Sequence, residues 1–462
     1  MTEQALTSHE AAVRRLVDSY RRIPDGAPIR LAKPTSNLFR PRSRVDRPGL
    51  DVSGLRGVIC VDADARTADV QGMCTYEDLV DATLPYGLMP LVVPQLRTIT
   101  LGGAVTGLGI EATSFRDGLP HESVLEMDVL TGAGDVVTAT PDGEHADLFA
   151  AFPNSYGSLG YATRLRIELA PVRRGVALRH VRYHSLDALA KRTATIVERG
   201  SYDGQPVEFV DGVVFAPDEA YLTLGRWTDD VDGASDYTGE HIYYRSIQQR
   251  ERDVLTTYDY LWRWDTDWFW CSRTFGAQHP VIRRLWPRRY RRSDVYHRIV
   301  GLENRFGPQA RWHRLRGLPA RERVVQDVEI PVEQVASFLR WFDEHVGMRP
   351  VWLCPLRLRE VTSSRRNLGW PLYPLEPGRT YVNVGFWGAV PIRPGATDGD
   401  LNRAIESAVA AHDGHKSLYS DAYYDRETFD RLYGGVTLTQ VKKQYDPGHR
   451  LTGLYDKAVG RR

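Results

Sequence analysis

Lysine is nearly missing from this chain: 6 of its 60 basic residues are lysines and the rest are arginines. Those 60 are balanced by 59 acidic residues, and a net charge of +1 excludes a wholesale polyanion binder. Cysteine is scarce too. Cys60, Cys74, Cys271 and Cys354 lie far apart with no CxxC pair, which excludes a zinc or disulfide framework and predicts a reducing, cytoplasmic setting. His121, His279, His297 and His313 show no H-x-x-H spacing, so no metal site is expected. No apolar run approaches the ~18 residues of a membrane span. The opening stretch, MTEQALTSHEAAVRRLVDSYRR, has no apolar h-region and does not read as a signal peptide. Peripheral contact with the cytoplasmic face of a membrane stays compatible with all of this.

What is present is a folded chain of 462 residues, 42% hydrophobic and 26% charged. At ~100–200 residues per domain, two or three domains are expected. Residues 3–22 read as an amphipathic helix ended by Pro24 and Gly26. From 50 to 170 short β runs follow one another at 57–62, 68–72, 125–131, 136–140 and 162–169. One helix interrupts them over 76–84, with Thr75 as its N-cap and Asp78 three residues on. Gly132-Ala-Gly134-Asp135 is a hairpin signal. After Pro171, helical stretches (186–199, 332–345, 401–411) alternate with strands (206–215, 324–330, 380–386). The class is α+β. The expected boundaries are 1–172, 173–410 and a C-terminal segment, 411–462, returning to the first domain.

The densest chemistry lies in Thr98–Gly118, where glycines at 102, 103, 107, 109 and 118 mix with Thr100, Thr106, Thr113 and Ser114. Such a loop can turn through positive φ, approach a ligand closely, and offer N–H groups and hydroxyls to a pyrophosphate. Gly107-Leu-Gly109-Ile-Glu-Ala112 matches the dinucleotide fingerprint G-x-G-x-x-A. That fingerprint needs a strand before it and a helix after it. Thr113 to Pro120 cannot continue a helix, so a Rossmann site is rejected.

These phrases resemble the flavin domain of the vanillyl-alcohol-oxidase/p-cresol-methylhydroxylase (PCMH) superfamily. The carriers are the helix opening Tyr76-Glu-Asp-Leu, then Thr100-Leu-Gly-Gly, Gly107-x-Gly109-Ile-Glu, Gly157-Ser-Leu-Gly160-Tyr and Tyr445-Asp-Pro-Gly448. Within it the chain is similar to the delta-24-sterol reductase branch, through Lys33–Phe39, Val52–Gly57, Gly109–Ser114, Val325-Gln-Asp327, Trp352–Pro355 and Leu418–Tyr423. The resemblance implies a PCMH-type FAD-binding domain of two α+β subdomains under an α+β cap. It places Thr35, Ser36 and Asn37 in a first phosphate loop. Along the pyrophosphate it places Thr100, Gly102, Gly103, Thr106, Gly107, Gly109, Thr113 and Ser114, with Gly118 closing the segment. Glu111 would orient that loop, and Gly157, Gly160 and Tyr161 would approach the adenine. Many members bind FAD covalently through a histidine in the first loop. Residues 34–39 hold none, so FAD is expected to be noncovalent, which leans towards a reductase.

Val324–Ile330 reads as a strand whose period of two puts Asp327 and Glu329 on one face. Hydride addition to an isolated C=C bond needs a proton on the neighbouring carbon, so Asp327, then Glu329, are candidate acids. Tyr423, in the segment from Tyr419 to Arg426, is a third candidate. The implied activity is NADPH-dependent reduction of a lipid alkene, in a methylene-branched fatty acyl chain or a sterol side chain. The alternatives are an oxygen-using oxidase of a sugar lactone or alditol, and a non-enzymatic lipid-binding relative. Residues 258–292, rich in tryptophan and arginine, read either as a packed cap or as a contact with anionic membranes. A nucleic-acid partner is not expected.

Overall fold

The computed structural model describes residues 3–33, 49–306, 319–359 and 369–459. Glu3–Arg21 is the N-terminal helix, and its Ala12 and Leu16 pack with Ile29, Leu50, Leu55 and Leu451 in a small core of their own. Six strands follow: β1 (Val58–Asp62), β2 (Thr67–Gln71), β3 (Leu88–Pro90), β4 (Val124–Leu130), β5 (Val136–Ala139) and β6 (Tyr161–Pro171). They form one antiparallel sheet in the order β1-β2-β6-β4-β5, with β3 also paired to β6. The turn between β4 and β5 closes with the Thr131 N–H donating to the Asp135 carbonyl, with Gly134 at a φ of +97°. The helix Tyr76–Thr83 opens as its cap signal predicts, Thr75 Oγ1 accepting from the Asp78 N–H at 3.1 Å.

The chain then crosses to a second sheet: β7 (Gly175–Tyr183), β10 (Phe209–Ala216), β11 (Glu219–Thr228), β12 (Arg252–Thr256), β13 (Arg321–Pro331), β14 (Val351–Leu356), β15 (Tyr381–Pro391) and β16 (His415–Lys416). β8 (Ser201–Tyr202) and β9 (Gln205–Pro206) make a separate hairpin. The order is β12-β7-β11-β10-β14-β15-β13-β16. His415–Lys416 is still part of this sheet, so the return to the first body comes after residue 416. It is made by the helix Gly435–Tyr445 and by Arg450, which donates to the carbonyls of Ile23 and Ala27.

Alternation decides what the second sheet shows on each face. Val324, Val328 and Ile330 turn to the helices Leu186–Arg199, Val335–His345 and Asp400–Ala411. Trp352, Cys354, Leu356 and Tyr381 turn the other way, into the core that holds the first sheet. The tryptophans of 258–292 lie in that same core. Trp262 and Trp264 are 0% and 1% exposed, and Trp268 and Trp270 are buried, so their expected place at a lipid headgroup layer is corrected. They pack between the two sheets because an irregular turn, not a helix, carries them: Trp264, Trp268 and Trp270 find ring neighbours, and Trp262 lies under the Arg97 guanidinium at 4.8 Å. Arg292 and Arg97 fasten this block to the first body through Glu77 and Asp265.

Candidate active site

The glycine segment starts with a helix, Leu101–Thr106, where a loop was expected. Thr100 Oγ1 caps it, accepting from the Gly103 N–H at 3.2 Å. The other hydroxyls are engaged locally as well. Thr106 donates to Gly102 O (2.7 Å), Thr113 donates to Leu91 O (2.8 Å), and Ser114 Oγ accepts from the Glu111 N–H (3.1 Å). All four hydroxyls thus meet nearby backbone, as short polar side chains next to a turning backbone do, with Thr100 and Ser114 used only as acceptors among the described residues. The glycines also serve differently than expected. Of the five, Gly118 alone takes a left-handed φ, +73°. A Cβ on Gly102 would lie 2.5 Å from Gly72 O, and one on Gly109 would lie 2.9 Å from Pro94 and Pro120. Most of these glycines permit close packing. They do not permit turning.

A second glycine segment lies against the first. The Tyr156 N–H donates to Thr106 O at 2.7 Å, and the Tyr156 ring sits where a Cβ on Gly107 would touch it at 3.4 Å. Asn154, Tyr156, Gly157 and Gly160 all take positive φ within seven residues. Strain of this kind persists where surrounding structure holds it, often at ligand clamps. Tyr161, half-buried, opens β6 beside Gly157. Gly103 and Thr106 face outward from this floor. Thr35, Ser36 and Asn37 lie outside the described residues. Glu111 looks away from the floor: its Oε1 accepts from Arg263 Nη2 at 2.7 Å, and Arg263 also reaches Asp211 Oδ2 at 2.9 Å. Burial pushes the Glu111 carboxyl up against the pull of Arg263. Glu111 thus clamps the glycine segment to β10 and the aromatic block.

Over this floor hangs the second sheet, with two cross-strand rows on the face that looks at it. One row runs Trp352, Gly385, Asp327; the other runs Cys354, Asn383, Glu329, His415. Asp327 is half-buried and burial pushes its carboxyl up to about 7, with the Asn383 amide and the Tyr419 hydroxyl beside it opposing the shift. Its Oδ1 and both amide atoms of Asn383 make no hydrogen bond among the described residues. Glu329 accepts from Ser417 Oγ at 2.7 Å, and burial pushes its carboxyl well above the usual carboxylate range. Burial holds His415 down at about 4, neutral.

Tyr423 is not with them. Its ring lies over Arg403, 5.1 Å from the guanidinium, and against Gly399 at the start of the helix Asp400–Ala411, on the opposite layer. Tyr419 takes the place expected for it: its hydroxyl accepts from Trp387 Nε1 at 2.9 Å and lies beside Asp327. Tyrosines at 419, 423 and 424 look alike in sequence, and nothing there tells which one stays on the sheet face. Aromatic rings wall the same spot. Phe269 lies 4.4 Å from Trp387 and 5.5 Å from Trp352, and Trp270 lies 5.4 Å from Trp387.

A glycine floor at one end, and unsatisfied buried polar atoms among aromatic rings at the other, fit a long cofactor that is polar at one end and flat at the other. FAD has that form. Among the described residues no cluster of three or more His, Cys, Asp or Glu could hold a metal ion. Comparison with known proteins points the same way. Residues 7–140 match the family described as "FAD binding domain". The Delta(24)-sterol reductase of Rattus norvegicus is 26% identical over 418 residues, covering 87% of this chain and 76% of that protein. The Delta(24)-sterol reductase of Arabidopsis thaliana is 24% identical over 448 residues, covering 88% and 76%. Cytokinin dehydrogenase 7 of Oryza sativa subsp. japonica is 33% identical over 160 residues, 34% of this chain and 30% of that one. The first body thus carries an FAD-binding domain of the PCMH type, and over most of its length the chain is similar to the Delta(24)-sterol reductases.

Proposed function

We propose that this FAD-dependent oxidoreductase reduces an isolated C=C bond in a lipid, a methylene-branched fatty acyl chain or a sterol side chain, with NADPH as electron donor. The observation that carries the reading is Asp327: a carboxyl at about 7, beside a phenol, facing an aromatic wall. FAD, held noncovalently by the two glycine segments and the masking face of the second sheet, supplies the hydride once reduced. Asp327 gives the proton to the neighbouring alkene carbon, so the double bond gains one hydride and one proton and nothing leaves. Tyr419, fixed by Trp387, holds the Asp327 carboxyl in place. Burial raises the Glu329 carboxyl and lowers the His415 imidazole, and both shifts oppose a buried charge at the spot. Phe269, Trp270, Trp352 and Trp387 offer an apolar chain a dry surface. The names of the relatives, sterol reductases, support an alkene in a lipid as the acceptor.

The test has two steps. Acid precipitation of the yellow protein should leave FAD in the supernatant. Anaerobic protein reduced with NADPH should then be reoxidised by a methylene-branched acyl lipid or by a sterol with a side-chain double bond, the product gaining two hydrogens. Flavin retained in the pellet contradicts noncovalent binding. Reoxidation by oxygen and a sugar lactone or alditol cycle, with no alkene reduced, contradicts the reductase.

A further inference from the structure

The segment 280–291 is built in two layers. Its inner layer is pinned. Arg283 donates to Asp267 Oδ1 and to the carbonyl of His241, both at 2.7 Å, and Arg291 donates to the carbonyls of Gly239 and Trp286. Its outer layer is apolar and bare. Val281, Ile282 and Leu285 of the helix Pro280–Leu285 are 60%, 41% and 77% exposed, and Tyr290 is 43% exposed. Among the described residues, eight large hydrophobic side chains are exposed, and the ten positions 281–290 hold four of them. Around them stand the exposed Arg284, Arg288 and Arg289. Arg288 is matched by Asp236 and Glu240, while Arg289 lies over the Tyr290 ring.

We infer that the cap rests on an anionic lipid surface through Val281, Ile282, Leu285 and Tyr290, with Arg284 and Arg289 on the lipid phosphates. Apolar side chains that sink into the headgroup boundary, ringed by arginines, are what such a surface accepts. A second copy of the chain fits worse, because a two-fold contact sets the same patch against itself and brings the arginines of both copies together. Further back along the chain the same block carries Phe269, whose ring lies 4.4 Å from Trp387 in the wall of the site, so one cap segment would meet the bilayer and wall the site. The inference deepens the lipid reading above and rests on it for its purpose. Its test needs no turnover, so either can fail alone.

The measurement is flotation of FAD-loaded protein with phosphatidylcholine vesicles, with and without phosphatidylglycerol, at low and high salt. Wild type should float with phosphatidylglycerol at low salt and lose much of that binding at high salt. Arg284→Gln with Arg289→Gln should lower partitioning roughly 20- to 30-fold. Val281→Asn with Leu285→Asn should abolish flotation at either salt while FAD content is unchanged. The inference is overturned if wild type never floats, or if both variants float like wild type. It is overturned equally if wild type dimerises in sedimentation, the Val281/Leu285 variant does not, and neither floats.

Discussion

At the scale of single residues the chemistry turns on where one carboxyl is held and how it is kept protonated. Burial raises Asp327 to about 7, so it carries its proton at and below neutrality and loses it above. Proton delivery should therefore fall as pH rises past about 7. The same shift has a stability sign: the neutral carboxyl favours the fold at low pH, and that contribution is lost as pH rises through 7. Asp327→Asn should then be at least as stable as wild type above neutrality, which separates a chemical loss from a folding loss. Opposite Asp327 stands Gly385, where a Cβ would lie 2.5 Å from Oδ1. Gly385→Ala should push the carboxyl aside, leave FAD bound, and slow alkene reduction by ~10²-fold, the usual effect of misplacing a reacting group by about 1 Å. An unchanged rate would place the working acid elsewhere.

At the scale of elements, Glu111, Arg263 and Asp211 join the glycine segment, the aromatic block and β10 with every partner buried. Arg263→Met strands two carboxylates and should cost ~3–5 kcal/mol, read as a fall in the urea midpoint. A midpoint within error of wild type would mean the triad is not a clamp. Much of the element order was legible because local signals set it: the Thr75 cap, the Gly132–Asp135 turn and the period of two in 324–330 all fold as their chemistry predicts. The helix Leu101–Thr106 was not legible, since Gly102 and Gly103 weaken helix propensity and packing against Gly72 overrides it. The local partners of the Thr106, Thr113 and Ser114 hydroxyls were not legible, because only the folded backbone shows which carbonyl or N–H each one meets. Choosing Tyr419 over Tyr423 required knowing that the first meets Trp387 on the sheet face and the second meets Arg403 in the helical layer. The tryptophans at 262–270 carried no sign of which side they bury, for rings suit a core and a membrane interface alike.

At the scale of the whole molecule, two antiparallel sheets share one core, with the glycine segments on one side of it and Asp327 on the other. Among the described residues no helix is long and apolar enough to cross a membrane. The division of labour between the two bodies can be timed. In stopped-flow experiments, reduction of the bound FAD by NADPH and its reoxidation by the lipid alkene are separate events, and only the second needs a proton donor. Asp327→Asn should leave the first within about twofold of wild type, slow the second by ~10²–10⁴-fold, and erase its decline above pH 7. Equal slowing of both events, or of neither, would contradict Asp327 as the acid that completes alkene reduction.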